Sequence, residues 1–229
     1  MPTEQELLEE IKQVIIDGDE DDAPKLVQEG LDEGVSALTI LNDGLIAGTN
    51  EVGQRFETGE FFLPELMLTG RALKAAMVVL TPVLQAQHAA ETTDKETGVV
   101  VMATVQTDIH DIGKNMVASM LTASGFEVID LGVDVPIKTI IAKAVEANAN
   151  IIGCSALLTT SMPYIRDLLD LLEVMGKRQR FKVMVGGASV TADWAAQIGA
   201  DGTARNPIGA VNLAKQLIRE QAERQEATD

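Results

Sequence analysis

Residues 107–115 read TDIHDIGKN and carry one of the two histidines in the chain. Asp108 stands two places before His110, Asp111 directly after it, and Gly113 follows. A carboxylate at that spacing can fold back and accept a hydrogen bond from one imidazole nitrogen. Such a bond fixes the tautomer and leaves the second nitrogen able to bind a metal. A lone histidine is more often structural, and that reading stands beside the first. A loop tip directly after an apolar run is nonetheless a poor place for a core residue. Gly113 lets the backbone turn without a side chain in the way.

Other residues that could complete a metal site are scarce, and zinc wants several protein ligands. His88 lies in a polar stretch and reads as exposed surface. Cys154 lies inside an apolar run and reads as a small buried hydrophobe. His110 would then be a single protein ligand to a metal whose other ligands come from elsewhere, as a macrocycle would supply them.

The elements that must position this loop differ between the two halves of the chain. In the first half, apolar residues recur at helical spacing. Leu7, Leu8, Ile11, Val14 and Ile15 share a face of one helix, and DDAPKLVQEGLDEG forms a second, ended by Gly34. Leu38, Leu41, Leu45, Val52 and Phe56 mark a third, and ETGEFF makes a turn. A fourth starts near Leu63-Pro64 and runs through Leu66, Leu73, Met77 and Leu80. Short connections predict a four-helix bundle over residues 1–90. Residues 88–98, HAAETTDKETG, read as a polar linker.

Over residues 91–229 short apolar runs alternate with helical stretches. VVVMATV (99–105), FEVIDLG (126–132), IIGCSA (151–156) and KVMVGG (182–187) read as strands, with a weak fifth at DGTA (201–204). KNMVASMLTASG, IKTIIAKAVEANA and YIRDLLDLLEVMG read as the helices between them, and a last helix starts near Gly209. Ile137, Ile140, Ile141, Ala144 and Val145 make an amphipathic face on the second of these. The alternation predicts a parallel five-stranded sheet covered on both sides, a flavodoxin-like (Rossmann-like) α/β domain after the helical one. In that winding, ligands bind beyond the carboxyl ends of the strands where the order reverses, between the first and third strands. His110 follows the first strand and Ser155 ends the third.

Composition narrows the function. The 229-residue chain is 46% hydrophobic and only 3% aromatic, so aliphatic residues and nine methionines must fill its core. A net charge of −17 argues against a nucleic-acid partner. One cysteine allows no internal disulfide and suggests a reducing compartment, the cytoplasm. MPTEQELLEE lacks the apolar segment of a secretory signal, and no uninterrupted apolar run is long enough for a membrane span. A phosphorylation-receiver domain would want an acidic residue ending the third strand, where GCSALLTTS has none. A dinucleotide site would want G-x-G-x-x-G where TDIHDIG stands.

Three motifs stand in order at predicted strand ends: Asp108-Ile109-His110-Asp111-Ile112-Gly113, then Ser155-Ala156-Leu157, then Gly186-Gly187. Together they resemble the Asp-x-His-x-x-Gly, Ser-x-Leu and Gly-Gly signature of cobalamin-binding proteins. The helical half, above all VGQRFETGEFFLPELM at 52–67, resembles the cap that precedes the cobalamin domain in two kinds of protein. These are cobalamin-dependent methionine synthase and the corrinoid proteins of methyltransferase systems. The resemblance covers nearly the whole chain.

The resemblance implies one corrinoid (cobalamin) per chain, with His110 as lower axial ligand to cobalt. Asp108 would bond the other ring nitrogen and Ser161 would bond Asp108. Thr107, Ile109, Asp111, Ile112 and Gly113 would belong to the same cofactor-binding loop. Ser155, Leu157 and Thr159 would line a slot for the nucleotide tail. Gly186, Gly187 and Ala188 would let that tail run close to backbone, and Asn206 would lie near its far end. Phe56 and Leu63 would roof the upper face and shelter a methyl group, with bundle core as the alternative for this apolar pair.

The function implied is a methyl-carrier subunit of a multi-component cobalamin-dependent methyltransferase system, cycling between Co(I) and methyl-Co(III). A substrate-specific methyltransferase would load it from a methylamine, a betaine, methanol or an aromatic methyl ether. A second methyltransferase would pass the methyl to a thiol or a tetrahydrofolate-type pterin, and a reductive activation protein would restore lost cofactor. No nucleic acid and no membrane belongs to this scheme. A carbon-skeleton mutase small subunit shares the motif but should lack the helical cap, and a cobalamin-sensing regulator would need a basic DNA-binding helix.

Overall fold

Thr3 opens the first helix with a capping box: its hydroxyl accepts from the Glu6 amide, and the Glu6 carboxylate accepts from the Thr3 amide. Helix α1 (Glu4–Asp17) buries Leu7, Ile11, Val14, Ile15 and Ile16 and stops at Gly18 in the left-handed region. The computed structural model describes residues 2–91 and 97–226. Helix α2 (Ala23–Asp32) carries Pro24 in its first turn, where a missing N–H costs nothing.

The third predicted helix is a single run with an unusual centre. Helix α3 (Ala37–Thr39) passes without a break through a π-helical segment (Ile40–Ile46) into α4 (Ala47–Glu57). A Cβ on Gly44 would sit 2.7 Å from Ile11, and one on Gly48 would sit 2.7 Å from the Lys12 carbonyl oxygen. These glycines let α1 cross the run almost backbone to backbone. The π turn presents Ile40, Leu41, Gly44 and Leu45 together to the buried side. Helical periodicity gives no sign of it.

Helix α5 (Leu63–Glu91) buries Ala72, Ala76, Met77, Leu80 and Leu84, and leaves Leu63, Met67, Leu68 and Val78 exposed. By length and composition alone, its span Leu63–Gln87 could cross a membrane, with a mean hydropathy of 1.4. The core helix of a soluble protein passes the same test. The helix also continues through His88–Glu91, into the start of the expected linker. The remainder of that linker at 92–96, and the side chain of His88, lie outside the described residues. The chain divides into two compact units, Met1–Gln87 and His88–Asp229.

The second unit follows from near-continuous β-branched and aliphatic runs, as strands buried on both faces require. Strands β1 (Val99–Thr104), β2 (Glu127–Asp130), β3 (Ile151–Ser155), β4 (Lys182–Gly186) and β5 (Gly202–Thr203) form one parallel sheet in the order β2-β1-β3-β4-β5. Helices α6 (Ile112–Ala123), α7 (Ile137–Glu146), α8 (Met162–Val174), α9 (Ala192–Gln197) and α10 (Pro207–Glu226) connect and cover it. Val101, Ile152 and Val183 pack with Ile140, Ile165, Leu168, Leu172 and Phe181 in one core. On the amphipathic face of α7, Ile140, Ile141 and Ala144 fill the buried stripe and Val145 is exposed. Helix α9 is too short to show a period in the sequence and is set by its Thr191 cap.

Register decides where the site lies. Thr104 pairs with Ser155, and Ser155 pairs with Gly186. The three motifs therefore leave the sheet side by side, from the ends of β1, β3 and β4. The chain winds outward in opposite directions from β1 and β3, so the crevice between their loops stays open.

Candidate functional site

The chain between β1 and α6 is pinned at several backbone points. The Val105 amide donates to the Ser155 carbonyl at 3.0 Å, which stitches the end of β1 to the end of β3. The Thr104 hydroxyl donates to the His110 carbonyl at 3.0 Å and draws the far end of the loop back to the strand. Thr107 adopts φ 68°, an uncommon value for a β-branched residue.

Asp108 sits at the centre and is fully buried. Its Oδ1 accepts from the His110 amide at 3.1 Å and from His110 Nδ1 at 2.7 Å. Its Oδ2 accepts from the Leu157 amide at 2.8 Å, the Leu158 amide at 3.1 Å and the Ser161 hydroxyl at 2.7 Å. Burial by itself would raise this carboxyl. The hydrogen bonds from Ser161, Leu158 and His110 outweigh it and hold the group well below the usual carboxylate range.

The tautomer follows. An ionised carboxylate only accepts, so Nδ1 carries a proton. In the neutral ring the lone pair then lies on Nε2, on a side chain that is 47% exposed. The sequence contributes one imidazole here and nothing else of its kind: among the described residues no group of three or more His, Cys, Asp or Glu could hold a metal. Cys154 is buried in β3, and burial pushes its thiol up to about 12.

The neighbouring loops complete the crevice. Ser161 precedes α8 and is buried, Ser155 and Leu157 are half-buried, and Thr159 is exposed. The Ala156 amide donates to the Gly186 carbonyl at 2.9 Å, and the Ser189 hydroxyl donates to the Leu157 carbonyl at 2.5 Å. Gly187 has φ 128°, and a Cβ there would meet the Ala156 oxygen at 1.9 Å. Two backbones run in contact at this point, and only glycine permits it. Ala188 is exposed beside it. Asn206 follows β5, and its side-chain oxygen accepts from the Gly209 amide at 2.8 Å, capping α10.

The structure thus gathers Thr107 to Gly113, Ser155 to Ser161 and Gly186 to Ala188 at one end of the sheet. Phe56 and Leu63 belong to the helical unit and are 44% and 63% exposed, so neither is bundle core. Other participants escape the sequence reading. The amides of Leu157 and Leu158 bind Asp108 through backbone, which has no residue-type signature. Lys114 is buried and pairs with Asp130 at 2.5 Å, which ties the start of α6 to the end of β2. Asp134 donates its amide to the Asp108 carbonyl at 2.9 Å and accepts from the Thr107 amide at 2.7 Å. Its position in GVDVP, after a strand at the ligand-binding end of the sheet, was the available signal.

These residues suit a ring-bound metal. A single oriented nitrogen completes a coordination sphere but cannot build one, and the crevice around it is walled by close-packed backbone. Comparison with known proteins agrees. Residues 98–212 match the B12 binding domain family, and residues 7–81 match a second B12 binding domain family. A corrinoid protein of Desulfitobacterium hafniense is 42% identical over 93% of this chain and 97% of its own length. Dimethylamine corrinoid protein 2 of Methanosarcina acetivorans is 44% identical over 95% of this chain and 99% of its own. The solved structure of the Methanosarcina barkeri monomethylamine corrinoid protein superposes with a TM-score of 0.84 at 37% identity, covering 94% of this chain and 100% of that one. The matched B12 binding domains and relatives 42% and 44% identical over 93% and 95% of the chain place it in the family of B12-binding corrinoid proteins.

Proposed function

We propose that this chain carries a methyl group on a corrinoid between a substrate-specific methyltransferase and a second methyltransferase. The observation that carries the reading is the buried Asp108, which orients the His110 ring and leaves Nε2 available. When bound, the corrinoid supplies a cobalt that accepts and surrenders a methyl group. His110 would hold that metal, and its hydrogen-bonded partners would set the strength of the hold. Asp108 holds the Nδ1 proton and thereby raises the basicity of Nε2, while Ser161 and the Leu157 and Leu158 amides keep the carboxylate ionised and aimed. Changes in that hydrogen bonding would change how firmly His110 holds the metal.

The crevice walls serve the rest of the ligand. Ser155, Leu157 and Thr159 on one loop and Gly186, Gly187 and Ala188 on the next offer a narrow path for a nucleotide tail. Phe56 and Leu63, exposed and apolar, are suited to sheltering the upper face. Relatives named for dimethylamine and monomethylamine favour a methylated amine as donor class, ahead of betaine, methanol or an aromatic methyl ether. A thiol or a tetrahydrofolate-type pterin is the proposed acceptor, and a reductive activation protein the proposed repair partner.

The test is reconstitution with hydroxocobalamin followed by reduction to Co(II). The expected product holds one cobalt per chain, with hyperfine splitting from a histidine nitrogen in its electron paramagnetic resonance spectrum. His110→Ala should lose that splitting and release cofactor faster. Splitting from the cofactor's own benzimidazole in the wild-type protein would sink the axial role.

A further inference from the structure

The Asp108–His110 pair is held from a side that the three sequence motifs do not include. Thr107 at φ 68° and Asp134 at φ 52° both occupy the left-handed region, which side-chain-bearing residues seldom adopt. They face each other across two loops. The Thr107 amide donates to Asp134 Oδ1 at 2.7 Å, and the Asp134 amide donates to the Asp108 carbonyl at 2.9 Å. A carboxylate acceptor makes the first bond a charge-assisted one. The neighbouring backbone runs parallel: Val135 bridges to Val105, and its amide donates to the Thr104 carbonyl at 3.1 Å.

The consequence is geometric. Asp108 can hold the imidazole only if its own backbone is fixed. Its amide is tied to the Val105 carbonyl at 3.2 Å, and its carbonyl is tied to Asp134. We infer that Asp134 is a positioning residue for His110, a clasp from the β2–α7 loop that locks the strained Thr107–Asp108 backbone and so sets the direction of Nε2. The inference rests on the reading of His110 as axial ligand. A plain turn residue with a tolerance for positive φ is the competing account, and the choice of variants separates the two.

Asp134→Asn retains an oxygen acceptor and tolerates the left-handed region. Asp134→Gly relieves the backbone but removes the acceptor. In the full chain without cofactor, the Thr107 amide should exchange with solvent about tenfold faster or more in Asp134→Gly, the size expected of a lost charge-assisted bond. In Asp134→Asn, which keeps a neutral acceptor, it should exchange at a rate between those of the wild type and Asp134→Gly. After loading with hydroxocobalamin and reduction to Co(II), Asp134→Gly should show a reduced histidine-on fraction, and Asp134→Asn should restore it. The melting temperature of Asp134→Gly should change little, since the residue is exposed and glycine suits its φ. Wild-type Thr107 exchange and a wild-type histidine-on fraction in Asp134→Gly would overturn the inference. So would a lower melting temperature with an unchanged spectrum in the bound fraction. Absence of histidine splitting in the wild type would instead reject the axial reading, while the exchange of Thr107 would still report on the clasp.

Discussion

A carboxylate fed by donors on both oxygens has no neutral substitute. In Asp108→Asn one oxygen becomes an NH₂ group. It must then face either His110, or Ser161 and the amides of Leu157 and Leu158. The expected cost is about 1–3 kcal/mol, the penalty of leaving buried donors unpaired. It should carry a pH signature with a definite sign. The folded-state carboxyl lies below its ordinary value of 3.8. Its contribution is therefore complete above that value and declines as pH falls toward the lower folded value. Urea unfolding of wild type and variant should show a constant gap near neutrality and a narrowing gap below about pH 4. A gap that stays constant into strong acid would mean the carboxyl is not held ionised by its neighbours. At this scale the sequence is readable where a side chain meets a side chain. Asp108, His110 and Ser161 declare their chemistry by type. The amides of Leu157 and Leu158 do not, and Asp134 enters through a backbone conformation that no motif encodes.

Elements were legible where a period repeats and obscure where a contact decides. The runs that became β1, β3 and β4 are apolar throughout, which buried parallel strands require, and α1 shows its buried stripe plainly. The π-helical segment is different. It depends on Gly44 and Gly48 lying against α1, a tertiary contact that local spacing does not express. Helix α9 is a similar case. Gly187 shows how far one contact can govern two elements. Gly187→Ala would drive a methyl carbon to 1.9 Å from the Ala156 oxygen, on a backbone at φ 128°. The loops after β3 and β4 must part, at a cost above about 1–3 kcal/mol. Cobalamin retention should fall sharply while Asp108 keeps its partner His110. Equilibrium dialysis with hydroxocobalamin and a thermal melt check both. Unchanged retention would show that the tail path does not pass this glycine.

At the scale of the whole molecule, two compact units with separate cores need not unfold as one, and a single transition cannot be assumed. We propose that the units behave as domains, with the boundary near residue 88 where compactness divides the chain. Cys154 offers a way to watch them apart. It lies in β3, the middle strand, and its thiol is buried and neutral at working pH. The folded chain should therefore be almost inert to maleimide, and the denatured chain should take up one label. Because the group lies within the α/β core, labelling acts as a clock for the opening of that core, while circular dichroism follows the helices of both units. In rising urea the two signals should separate if the units are independent, and coincide if they are not. The protein thus comes with its own intrinsic stopwatch. Any engineered surface cysteine, carrying a fluorophore or spin label, could be read in the native state without interference from the resident one.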